Sequence, residues 1–106
     1  MKILLSKRSK KNYRAIKDYI ANEWGEKVAE AFEQKTIDFL DLLEDFPEIG
    51  AVDVIEKQIR GFQLTKQTRV FYRVKGDRII ILTFFDVRKD PKKKPRWCAY
   101  WPQQGV

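Results

Sequence analysis

The chain has 106 residues, with 22 Lys+Arg against 15 Asp+Glu, a net charge of +7, no histidine and one cysteine. One small domain is expected, because a chain of this size buries enough surface for a single core and no separate module. Without histidine there is no triad of the usual kind, no His-ligated zinc and no imidazole acid/base pair. The lone Cys98 makes neither a disulfide framework nor a CxxC metal site.

From the N-terminus, KILL at 2–5 reads as a short strand, and Ser6 or Ser9 then offers a hydroxyl to cap a helix. Tyr13, Ile16, Ile20 and Trp24 recur every three or four residues, so one stripe of that helix must be covered. Gly25 interrupts, and Val28, Phe32, Phe39, Leu40 and Leu43 mark a second helix that ends near Phe46, Pro47 and Gly50. Two helices joined by one break predict a helical hairpin.

After Gly50 the period changes to two, in stretches 54–64, 68–75 and 78–87 rich in branched and aromatic residues. Gly76-Asp77 is a two-residue hairpin signal, since glycine supplies the positive φ that primed turns need. Lys66-Gln67 is a weaker candidate for the other turn. The fold class expected is α+β, an N-terminal strand and helical hairpin packed on one face of a small antiparallel sheet, with a basic and aromatic tail over 89–106. KILL is too short for a signal peptide, and no run approaches the ~18 apolar residues of a membrane span, so a cytoplasmic location is expected.

Counting back from Gly76-Asp77 gives Val70, Tyr72, Val74, Ile79, Ile81, Phe85 and Val87 one face, apolar and suited to the helices. The other collects Arg69, Phe71, Arg73, Ile80, Leu82, Phe84, Asp86 and Arg88, to which the Lys66-Gln67 hairpin would add Arg60, Phe62 and Leu64. Arginines interleaved with phenylalanines grip single-stranded nucleic acid, by forking onto phosphates and offering rings to bases. They equally suit an acidic amphipathic peptide. The plain alternative is that Phe62, Phe71 and Phe84 pack under a tail containing Trp97, Tyr100 and Trp101. Charge also divides along the chain, with 9 basic and 11 acidic residues in 1–53 but 13 and 4 in 54–106. Lys92, Lys93, Lys94 and Arg96 fall in the run KDPKKKPR and extend the candidate binding surface for an anionic partner.

The order of elements, with YIANEWG at 19–25, FPEIG at 46–50, TRVFYRV at 68–74 and IIILTFFDVRKDP at 79–91, resembles the RelE/ParE superfamily of toxins from bacterial type II toxin–antitoxin systems. The resemblance implies a toxin neutralised by an acidic antitoxin whose disordered segment folds on docking. RelE-like members imply a ribosome-dependent mRNA endoribonuclease needing neither metal nor cofactor, and Arg69 and Arg88 match their phosphate-binding arginines. That face inclines the sequence reading to a ribonuclease, although the histidine or tyrosine such enzymes carry shortly after the second arginine is replaced here by lysines. Lys92, Lys93 or Lys94 would then serve as acid, with Glu56 or Lys57 as substitute bases. ParE-like members instead imply inhibition of DNA gyrase by binding, for which Arg60, Arg69, Arg73 and Arg88 are contact residues. An inactive binding module on the same scaffold is the third reading.

Overall fold

The computed structural model describes residues 1–55 and 58–87. Two helices lie on one face of a five-stranded mixed sheet, giving the expected α+β class with one strand more than the sequence suggested. The elements are β1 (Lys2–Leu5), α1 (Lys7–Trp24), α2 (Glu26–Asp45), β2 (Ala51–Val54), β3 (Ile59–Gln63), β4 (Thr68–Lys75) and β5 (Arg78–Asp86). The sheet order is β1-β5-β4-β3-β2; β1 runs parallel to β5, and the other neighbours are antiparallel. No helix among the described residues is long and apolar enough to cross a membrane.

Ser6 caps α1, its hydroxyl oxygen accepting from the Ser9 amide at 3.0 Å while its O–H donates to the Leu82 carbonyl at 2.9 Å. Gly25, at φ +96°, ends α1 and begins α2; an L side chain is strained there, so the break falls on glycine. Ile16 and Ile20 of α1 meet Ala29, Phe32, Phe39 and Leu43 of α2 and Val70, Tyr72, Ile79 and Ile81 of the sheet in one core. Trp24 and Val28, expected in the apolar stripes, are exposed instead. They flank Gly25 at the tip of the helical hairpin, and Trp24 meets Tyr19 edge-on.

Tyr72 ties the turn after α2 to the sheet. Its hydroxyl accepts from the Gly50 amide at 2.8 Å and donates to the Pro47 carbonyl at 2.9 Å. A Cβ on Gly50 would lie 2.8 Å from the Tyr72 ring and 2.9 Å from the Gly61 carbonyl oxygen, so the approach needs glycine.

Three departures from simple alternation change what faces where. First, of the stretch read as one strand over 54–64 only 59–63 forms β3; an unexpected strand, β2, precedes it at Ala51–Val54 and pairs with it antiparallel, with Gln58 at φ 54° just before β3. Second, the turn holds three residues, 65–67, rather than two at Lys66-Gln67: Leu64 faces Thr68 and donates its amide to the Thr68 carbonyl at 2.9 Å, while the Thr65 hydroxyl accepts from the amides of Gln67 and Thr68 at 3.2 and 3.1 Å. That slips β3 by one residue, so Phe62 pairs with Val70 and Arg60 with Tyr72. Third, Gly76-Asp77 sets Lys75 opposite Arg78 and Arg73 opposite Ile80 as expected, but the register shifts after Tyr72 and Ile81. Phe71 then pairs with Thr83 and Arg69 with Phe85, leaving Leu82 as the bulge.

Candidate partner-binding face

A one-residue slip moves every side chain beyond it to the opposite face. Arg60, Phe62 and Leu64 therefore join the helix side of the sheet, where Phe62 stacks on Phe39 with ring centroids 4.5 Å apart and Leu64 is buried. Arg60 donates to the carbonyls of Gly50 and Glu48 at 2.8 and 3.3 Å, strapping the turn after α2. The Leu82 bulge likewise sends Phe84 inward, 5.5 Å from Tyr13, and Phe85 outward. Asp86, expected beside Arg69, is buried and accepts from the Thr68 hydroxyl at 2.6 Å. Arg88, Lys92, Lys93, Lys94 and Arg96 lie outside the described residues, as do Glu56, Lys57, Cys98 and the aromatic tail.

The face away from the helices holds Arg69, Phe71 and Arg73 of β4, Gln63 and Ile59 of β3, and Ile80, Leu82 and Phe85 of β5. Its apolar members cluster: Ile59, Phe71 and Phe85 are buried, with Leu82 and Val87 packed against them. Phe71 is only 1% exposed, so it offers no ring to a base. The stacking platform expected from Phe62, Phe71 and Phe84 is absent, because two face the helices and the third is covered.

Arg69 is held rather than loose. Its Nη1 donates to Gln63 Oε1 at 2.6 Å, and the Gln63 amide group donates in turn to the carbonyls of Thr65 and Lys66 at 2.6 and 3.3 Å. The loop that Thr65 closes thus fixes Gln63, and Gln63 fixes the guanidinium. Two residues along the strand, Arg73 is half-buried and its Nε has no hydrogen-bond partner. Gln63 was not among the residues singled out from sequence; a three-residue loop over 65–67 places it opposite Arg69.

A second feature lies between the helices, a cleft of about 660 Å³ whose lining includes Tyr13, Leu40 and Phe84, with Lys10, Arg14 and Lys17 along the α1 side and Ile37 on α2. Lys17 forms an ion pair with Glu33, and its hydrogen bond to that carboxylate raises the ammonium pKa. Burial, then the Glu33 charge, pushes the Tyr13 hydroxyl upward. Among the described residues no three metal-ligating side chains come together.

The model of the family described as the ParE toxin of the parDE type II toxin–antitoxin system matches residues 3–91. The chain belongs to the ParE toxin family. Its fold is similar to a chain of the chromosomal ParDE toxin–antitoxin system from P. aeruginosa, with TM-score 0.69 and 22% identity over 81% of this chain and 95% of that one. It is also similar to a YoeB/ParE toxin from Agrobacterium tumefaciens, with TM-score 0.58 and 16% identity over 81% and 98% of the two chains. No curated protein sequence matches. As a ParE-family toxin the protein is one half of a toxin–antitoxin pair, and its natural partner is an antitoxin.

Proposed function

We propose that this ParE-family toxin stops growth by binding DNA gyrase, with Arg69 and Arg73 as contact residues and Arg88 as a third. The observation that carries this is the state of the arginine face: a guanidinium locked by Gln63 at 2.6 Å beside buried rings. A preoriented fork suits a carboxylate on a protein surface, whereas gripping single-stranded RNA also calls for open rings. The family match to ParE supports the same reading.

The antitoxin is read as an acidic amphipathic segment. Of the phenylalanines expected to receive it, Phe71 and Phe84 are buried and Phe62 is half-buried against Phe39, and the apolar burial it needs is offered instead by the cleft between α1 and α2, where Lys10 and Arg14 stand on one side and Asp18, Glu26 and Glu33 also contribute. Lys92, Lys93, Lys94 and Arg96 would add attraction for the same partner.

Ribosome-dependent mRNA cleavage is the second reading, favoured by Arg69 standing oriented at the position that RelE-like enzymes use for phosphate. One preparation shown to stop growth separates the two. Loss of gyrase supercoiling on relaxed plasmid, with no new RNA 5′ ends by primer extension on translating ribosomes, supports gyrase inhibition. New 5′ ends that require Arg88, with supercoiling intact, would replace it by the nuclease.

A further inference from the structure

We propose that the outward ridge of α1 binds the phosphate backbone of duplex DNA. Residues 1–17 hold seven basic side chains and no acidic one. The two halves of the chain conceal this, because residues 26–48 carry eight acidic and two basic side chains and cancel it in the sum. Lys7, Lys10, Lys11 and Arg14 fall within about 100° of arc at 3.6 residues per turn, on the side of α1 opposite the buried Ser9, Ile16 and Ile20. All four are exposed, as is Arg8 at their flank.

The fold gains nothing from this row. The salt bridge found among the described residues is Lys17–Glu33, and none of these five cations takes part in one. The first turn of α1 has no acidic residue, although the helix dipole favours carboxylates there and disfavours cations. Arg14 has Asp18 one turn on along the same ridge, but Lys7, Arg8, Lys10 and Lys11 oppose the dipole with no acidic residue within a turn on α1, a placement that suits an anion outside the molecule.

The shape of the row selects the anion. Its exposed positions carry no aromatic side chain, so single strands find no stacking surface. Lys7, Arg8 and Lys11 lie off the apolar cleft that Lys10 and Arg14 edge, so an acidic segment seated in that cleft does not account for them. A helix about 10–12 Å across with its side chains enters a B-DNA major groove about 12 Å wide, whereas the narrow groove of A-form RNA does not admit it. The contacts are to phosphate and carry no sequence preference. The inference is independent of the gyrase reading, since the binding is measured without gyrase.

The test is fluorescence anisotropy of the full chain with a labelled 20-base-pair duplex of arbitrary sequence, between about 50 and 200 mM salt. The variant is Lys7→Gln/Lys11→Gln, which avoids the cleft between the helices and the arginine face and should melt no lower than wild type. Wild type should bind with affinity that falls with salt, and the variant should bind more weakly, with its log–log salt slope shallower by about 1.8 for two lost phosphate contacts. Lys35→Gln, at an exposed position on α2, should leave the slope within error of wild type. Unchanged affinity and slope in the double variant would overturn the proposal. So would displacement of the duplex by polyglutamate as readily as by unlabelled duplex at equal charge, or tighter binding of a single-stranded RNA of the same length.

Discussion

Gln63 and Arg69 are direct partners across β3 and β4, and the Arg69 guanidinium donates to the Gln63 side-chain oxygen at 2.6 Å. Because Gln63 is anchored to the loop carbonyls of Thr65 and Lys66, the loop sets the direction of the arginine. We expect Arg69→Ala to abolish growth inhibition with the fold retained, and Arg88→Ala to do the same. Gln63→Ala should weaken toxicity with little change in melting, since surface changes are mostly within about 0.5 kcal/mol. Growth assays beside thermal melts check this; full toxicity in two stable arginine variants would remove the site.

The core predictions rest on packing. Phe32 and Ile81 are 4% and 0% exposed within one cluster, so truncating either to alanine should cost about 2 to 5 kcal/mol. Urea denaturation measures this directly, and a variant indistinguishable from wild type would contradict the face assignment.

Tyr72→Phe removes both bonds of the buried hydroxyl, leaving the Gly50 amide and Pro47 carbonyl without it. A cost of about 1 to 3 kcal/mol is expected. Gly50→Ala should be at least as harmful, because one of the atoms its Cβ meets is the Gly61 backbone oxygen at 2.9 Å.

Alkaline pH should unfold the protein through Tyr13, Tyr72 and Lys17. Burial raises both tyrosines above 10.0, and the bond to Glu33 raises Lys17 above 10.5. Each raised group stabilises fully below its unfolded pKa and loses that contribution as pH climbs through the folded value. Melting temperature should therefore decline above about pH 10, and Tyr72→Phe should flatten that decline. A melting curve rising from pH 10 to 11 would reverse the sign.

Antitoxin binding should weaken as salt is added, because part of the attraction is between exposed charges. Titration calorimetry at low and high salt is sufficient, and an affinity insensitive to salt would mean a mainly apolar interface.

Much of the fold was legible because it is written in local signals. The Ser6 cap, the Gly25 break, the helical stripes through Ile16, Phe32 and Leu43, and the Gly76-Asp77 turn each depend on residues within one or two turns of chain. One error lies where a distant group intervenes, the other where a local turn lacks the usual glycine. Leu82 bulges beside a carbonyl held by the Ser6 hydroxyl, a bond between residues 76 positions apart. Thr65, rather than a glycine, closes the loop before β4 and shifts the β3 register. Those two slips carried Arg60, Phe62 and Phe84 to the wrong side, while Arg69 and Arg73 stayed where alternation set them. The α1 cations were visible in the sequence, but dividing the chain at its midpoint averaged them away.

The parallel pairing of β1 with β5 joins the first described strand to the last, Ile3 lying opposite Ile79. During translation the strand and helix that open the chain have no sheet edge to settle on until the second half has been made. Closure across so long a stretch is slow compared with local helix formation. The sheet of this fold therefore closes only after β5 has been made, and β1 waits for it.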